Sequence, residues 1–381
     1  MAGLTPKQRM LNAYRGAWSD RAAVAPEFWY YYPAKLLGVD MIEFQRRVPF
    51  HLALKTTFEE FDCEGWGAAF AAIANDRAAP RTQERWVSQD RLEVCRTLST
   101  PHGELTSRTL YDRREPSWEL ERPIKDPSRD LEAFLDAALP DLAGLDARPM
   151  VRQWEEVGES YLLEAWLGVP FFDFYGTSRQ GGLEAAILDF LEHPEVFEPL
   201  QQRYISHMVE LTGRLVEQTP FESFVIGCAW SCNSLISPAM WRRWDKPVIA
   251  AVANEVHRRG RLLHVHFHGR CMETVADFAE IGIDCVCPFE RPPGGDVAGL
   301  EGLRAVERAL RGRTTMNGNV HTVETLIRGR PQDVRREVRE VLEAFRGNPR
   351  VIVGTGDQVG RETPEENLLA MIEEVRHTPW P

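Results

Sequence analysis

Gly260-Arg-Leu-Leu-His264-Val-His266-Phe-His268-Gly269 is followed by a short helical pattern and then by Gly282-Ile-Asp284-Cys-Val-Cys-Pro-Phe-Glu290-Arg-Pro-Pro293. Two short apolar runs, each ending in ionisable or metal-capable side chains, flank Met272, Val275, Ala276, Phe278 and Ala279 at helical spacing. The pattern reads as strand, helix, strand. Side chains alternate along a strand, so His264, His266 and His268 share one face and Leu263, Val265 and Phe267 the other. A single histidine here would read as a satisfied core residue. Three at period two, directly before a glycine, point to a metal or acid–base site.

Outward from this stretch the alternation continues. Strand patterns lie near residues 24, 61, 161, 224, 262, 284, 315 and 352, each followed by a helix. Thr5-Pro6 opens a first helix through Met10, Leu11 and Tyr14, and a helix is expected over Met41–Glu60. Trp29-Tyr30-Tyr31-Tyr32 reads as the aromatic tail of the first strand. His193-Pro194 starts a long helix ending near Thr219, Ser237-Pro238 caps another to His257, and Thr363-Pro364-Glu365-Glu366 reads as a capping box for the last. Eight βα units predict a (β/α)₈ TIM barrel. A doubly wound sheet is the alternative, but no Gly-x-Gly-x-x-Gly opens a helix after a strand. Residues of about 75 to 125 break the rhythm. Arg91–Leu98 and Glu104–Tyr111, joined by a turn, and Trp118–Glu121 read as a β-rich insertion after the second strand. It is too short to bury much core alone, so residues 1–381 are expected to form one barrel domain carrying it. Its polar edges suit a lid or a homodimer contact.

Composition adds exclusions. The 43.5 kDa chain is 43% hydrophobic and 27% charged, as for a soluble globular enzyme. A formal net charge of −12 argues against nonspecific nucleic-acid binding. There is no long uncharged apolar run and no basic-then-apolar start, so neither a membrane span nor a signal peptide is expected, and the cytoplasm is the default location. Seven cysteines make no disulfide framework; Cys285 and Cys287 lack structural-zinc spacing and read as buried thiols.

In a barrel, chemistry collects at the C-terminal strand ends. The polar residues there are Trp230 and Asn233 after the fourth strand, His266 and His268 on the fifth, Glu290 after the sixth, Asn319 after the seventh and Asp357 after the eighth. Two histidines with one or two carboxylates would suit zinc, manganese or ferrous iron. The expected site is one divalent ion, foremost zinc, on His266, His268 and at least one of Glu290 and Asp357, with His264 deeper as packing or support. Asp357 and Tyr175 are the candidate catalytic residues; Trp29, Trp230, Asn233 and Asn319 are the candidate substrate contacts.

Several pieces together resemble the uroporphyrinogen decarboxylase superfamily over nearly the whole chain. They are Asp20-Arg21 with Val24-Ala-Pro26, Ile236-Ser237-Pro238, His266-Phe-His268-Gly269 in place of His-x-Cys-Gly, Gly282-Ile-Asp284, Pro292-Pro-Gly-Gly-Asp296, Gly318-Asn319 and Thr363-Pro-Glu-Glu-Asn367-Leu. The resemblance implies a (β/α)₈ barrel. It also implies one of two activities: cofactor-free decarboxylation of tetrapyrrole carboxylates, or cobamide-dependent methyl transfer at zinc held by His-x-Cys and a later Cys. The chain departs from both. Glu27-Phe-Trp-Tyr-Tyr-Tyr32 stands where decarboxylases carry Arg-Gln-Ala-Gly-Arg, which disfavours a polycarboxylate substrate. The first zinc thiolate is replaced by His268, and the later Cys falls near Thr355–Asp357. The leading expectation is a metal-dependent methyltransferase moving a methyl group between a small molecule and a corrinoid protein, since no cobamide-binding segment occurs in the chain. A decarboxylase or other lyase is the second expectation and a metal hydrolase the third.

Overall fold

The structure, a computed structural model, describes residues 3–380. Eight parallel strands build its centre: β1 (Ala23–Ala25), β2 (Trp66–Ala69), β3 (Leu162–Gly168), β4 (Ser223–Cys228), β5 (Leu262–Phe267), β6 (Cys285–Pro288), β7 (Thr315–Val320) and β8 (Val351–Thr355). They hydrogen-bond in the order β1-β8-β7-β6-β5-β4-β3-β2, so the first strand lies beside the last, as in the expected (β/α)₈ barrel. β1 and β2 share no ladder. Glu64, just before β2, spans that seam: its backbone N–H donates to Val24 O at 3.0 Å, and its carboxylate accepts from Val24 N at 2.9 Å.

Alternation along β5 sorts its side chains as expected. Leu263, Val265 and Phe267 are buried in the outer core, where Phe267 meets Trp241 and Phe278 edge-on. Truncating such a side chain to alanine costs about 3–5 kcal/mol. The inner cluster is filled by Trp66, Leu162, Val225, Cys285, Cys287 and Ile352, together with Met10, Leu11 and Tyr14 from the helix Pro6–Arg15. That helix starts with a capping box of Thr5 and Gln8, and proline in its first turn.

After β2 comes a four-stranded antiparallel sheet of Ala79–Trp86, Arg91–Thr100, Gly103–Asp112 and Trp118–Glu121, in that order. Its first strand was not legible in the sequence, because every residue of Ala79–Trp86 is exposed and no apolar alternation marks it. Several expectations are corrected. The Met41–Glu60 helix is two, Met41–Arg47 and Phe50–Glu60, because Pro49 offers no N–H and steers Val48 out of helical geometry. The aromatic run after β1 does not continue as a strand: Tyr31 opens the helix Tyr31–Leu37. The last helix, Glu365–His377, begins at Pro364 without a side-chain cap, and the Thr363 hydroxyl is buried and unpaired. No helix among the described residues is long and apolar enough to cross a membrane.

Candidate metal centre at the barrel mouth

β5 delivers His264, His266 and His268 to the barrel interior at rising height. His264 is fully buried, while the side chains of His266 and His268 are 12% and 26% exposed. Pro26 ends β1 and leaves Glu27 at the mouth, where its backbone N–H donates to Oγ1 of Thr355, the last residue of β8, at 3.0 Å. β6 pairs in register with β5, placing Cys287 opposite His266. Together, Glu27, His266 and Cys287 bring one ligand atom each within 4.8 Å of one another.

The two edges of the His266 ring see different groups. Nδ1 lies 2.9 Å from Cys287 Sγ, and Nε2 lies 3.8 Å from Glu27 Oε1. Burial, then the neighbouring His268 and His264, push His266 well below the usual imidazole range, so it is neutral. Burial, then the charge of Asp357, push the Glu27 carboxyl up to about 8. At neutral pH their contact is therefore not an ion pair. Glu27 is buried with no arginine or lysine partner among the described residues. Cys287 is raised well above the ordinary thiol range, by burial and then by Glu27.

His268 behaves oppositely to His266. Its Nδ1 is 2.9 Å from Glu290 Oε1, which also accepts from Gly269 N at 2.8 Å. Burial opposes its charge, yet the Glu290 hydrogen bond and the Asp357 and Glu27 carboxylates raise it to about 9. Asp357 is itself raised, chiefly by burial. Glu290 and Asp357 also line a cavity of about 420 Å³ with Arg291, His321 and Arg328.

Of the residues singled out in the sequence, His266, His268, Glu290 and Asp357 thus share the mouth. Trp29 stands behind them, stacked on Phe50 at 5.2 Å and edge-on to Trp66, which in turn meets His266 at 5.3 Å. The others are engaged elsewhere. Tyr175 is buried against Phe190 and Phe197 and donates to Asp189. Trp230 donates its backbone N–H to Asp173 at 2.7 Å and lies under Arg122. Asn233 accepts from Thr274 Oγ1, and Asn319, fully buried, donates to Phe289 O at 3.0 Å across the β6 loop. Sequence reasoning missed Glu27 and Cys287 as members of the cluster. Both stand at a C-terminal strand end, and an inventory of every donor at those eight positions would have found them.

The family model described as uroporphyrinogen decarboxylase (URO-D) matches residues 175–378. Two proteins named uroporphyrinogen decarboxylase, from two strains of Thermus thermophilus, are each 31% identical over 261 residues, 66% of this chain and 70% of the relative. A solved methyltransferase from Methanosarcina mazei superposes with a TM-score of 0.65 over 98% of both chains at 15% identity, a likeness of fold.

Proposed function

Because the chain belongs to the uroporphyrinogen decarboxylase family, we propose that it is a metal-dependent methyltransferase, moving a methyl group between a small molecule and a corrinoid held by a separate protein. The observation that carries this reading is the convergence of Glu27, His266 and Cys287 at the barrel mouth. Carboxylate, imidazole and thiolate are all zinc donors. A buried carboxyl with no arginine or lysine partner is a place a divalent ion fits once the carboxyl gives up its proton. Glu27 and Cys287 face opposite nitrogens of His266, so in this rotamer an ion takes Glu27 with Nε2 or Cys287 with Nδ1. We favour the first, because Cys287 Sγ already contacts two imidazoles. His268 and Asp357 border the same space as further donors, and Glu290 orients His268 as outer carboxylates orient ligating histidines. When bound, the ion would supply Lewis acidity to the atom that gives up or accepts the methyl group. The adjoining 420 Å³ cavity has room for a small molecule. A second copy of the chain is proposed to dock on the antiparallel insertion, near exposed Trp86 and Trp118. Sedimentation at the mass of one chain would remove that part.

The 31% identity to named decarboxylases favours a second reading, cofactor-free decarboxylation. The mouth weighs against it: Glu290 and Asp357 line the cavity, and its two arginines, Arg291 and Arg328, are already paired with Glu337, Glu340 and Glu324 rather than free to take a polycarboxylate. The test uses protein purified without a histidine tag. Expected are a stoichiometric divalent ion, its loss in His266→Ala and Glu27→Gln, and methylation of free cob(I)alamin by one member of a panel of methyl ethers, amines and thioethers. Metal-free protein that decarboxylates uroporphyrinogen would overturn the proposal in favour of the second reading.

A further inference from the structure

Behind His266 a line of buried polar groups runs down through four neighbouring strands. Ser223 Oγ on β4 donates to Glu164 Oε1 on β3 at 2.6 Å, and Glu164 Oε2 lies 2.8 Å from His264 Nδ1 on β5. His264 Nε2 lies 3.0 Å from Cys287 Sγ on β6, and the same sulfur lies 2.9 Å from His266 Nδ1. Ser223, Glu164, His264 and Cys287 are all buried, and Tyr14 and Trp66 pack edge-on against His264. Such a string is costly in a barrel interior unless every member is hydrogen-bonded, and a string so bonded has a direction.

We propose that this string sets the tautomer of His266 and so presents its Nε2 lone pair to the mouth. A carboxylate only accepts, so Glu164 fixes the His264 proton on Nδ1. His264 Nε2 is then an acceptor and takes the S–H of Cys287. The sulfur, having given its proton direction downward, accepts from His266 Nδ1–H. That leaves Nε2 of His266 unprotonated, 3.8 Å from Glu27 Oε1. The hydrogen bond on one ring nitrogen decides what the other can do. Glu164, His264 and Cys287 are thereby positioning residues, acting on the mouth through His266. The consequence for metal binding rests on the reading above; the tautomer itself does not.

The test starts from the metal-free full chain labelled with ¹⁵N-histidine, with His266 assigned by its loss in His266→Ala. Expected is a protonated, pyrrole-like Nδ1 and a bare, pyridine-like Nε2; the reverse pattern overturns the proposal. In Glu164→Gln the amide can donate into His264 Nδ1, which reverses the string and moves the His266 proton to Nε2. Affinity for added Zn²⁺ should then fall about 10–100-fold. Cys287→Ser can pass both hydrogen bonds and should keep the native tautomer and affinity, whereas Cys287→Ala should lose the tautomer. If serine loses zinc as fully as alanine, the sulfur is itself a ligand and the positioning role fails. A native Nδ1–H tautomer in a protein that takes up no metal would instead sink the metal reading and leave this one standing. Should Glu164→Gln not fold, the native spectrum still decides.

Discussion

His266 owes its surroundings to the residue it does not touch in sequence. Gly227 of β4 is its register partner, and a Cβ there would come within 2.4 Å of the Trp166 indole. Glycine lets that indole lie across the barrel beside the site, where Phe70 leans on it at 5.7 Å. Gly227→Ala should therefore displace Trp166 and destabilise the fold by about 1–3 kcal/mol, the usual cost of overpacking. Urea denaturation with near-ultraviolet circular dichroism reads both effects; an unchanged tryptophan signature would show the indole has space to spare. At this scale the sequence was partly legible. The period-two histidines announced one face because alternation is local. Glu27, Glu164 and Cys287 did not announce themselves, because their partners lie on other strands and only register brings them together.

Between strands and helices, a pair of buried carboxyls ties three segments on the β3–β4 side. Asp245, at the head of the helix Lys246–Arg258, accepts from Phe172 N at 2.7 Å, and Asp173 accepts from Trp230 N at 2.7 Å. Each has its second oxygen buried and unpaired. Burial raises Asp245 to about 8 and Asp173 to about 6, each held back by backbone donors. The charge of Asp173 adds to the rise of Asp245. An aspartate raised in the folded state keeps a proton that the unfolded chain, near 3.8, has already lost. The folded state thus binds more protons in that window, and stability falls as pH rises from about 4 to about 8. Urea midpoints across this range should fall for the native protein and fall less steeply for Asp245→Asn. Parallel slopes would mean the carboxyls are ionised throughout. Nothing in the sequence marks Asp173 for burial, and Ser237-Pro238 suggested one helix to His257. The structure breaks that helix at Trp244 and uses Asp245 at the break. A propensity pattern shows where helices can form, but a break that serves a contact 73 residues away is a tertiary matter.

For the molecule as a whole, the decisive place is where the barrel closes. Eight βα units were legible from period and caps, and with them the cyclic order of strands. How β1 meets β2 was not, because β1 is three residues long and the two strands share no ladder. Asp20-Arg21, one of the pieces that carried the family resemblance, supplies the answer. Arg21 meets Glu64 through Nη1 at 2.8 Å and Nη2 at 2.6 Å, and Arg9 adds Nη1 at 3.2 Å while holding Asp20 through its other nitrogens. Glu64 is fully buried and also accepts from Val24 N across the seam. This signature serves closure of the barrel rather than chemistry at its mouth. The pair of carboxylates separates the two ideas. Glu64→Ala strands the largely buried Arg21 guanidinium and the Val24 backbone donor, leaving Arg9 with Asp20 alone, and should cost about 3–5 kcal/mol. Asp20→Ala removes a half-exposed partner of Arg9 and should cost less than about 1 kcal/mol. Glu64→Gln keeps an acceptor for Val24 and should fall between. Hydrogen exchange at the Val24 amide should rise first in Glu64→Ala, before exchange in β4 and β5, since the seam opens without unfolding the opposite wall. If both alanine variants lost equally little, and Val24 stayed protected, the helices outside the barrel rather than Glu64 would be what holds β1 against β2.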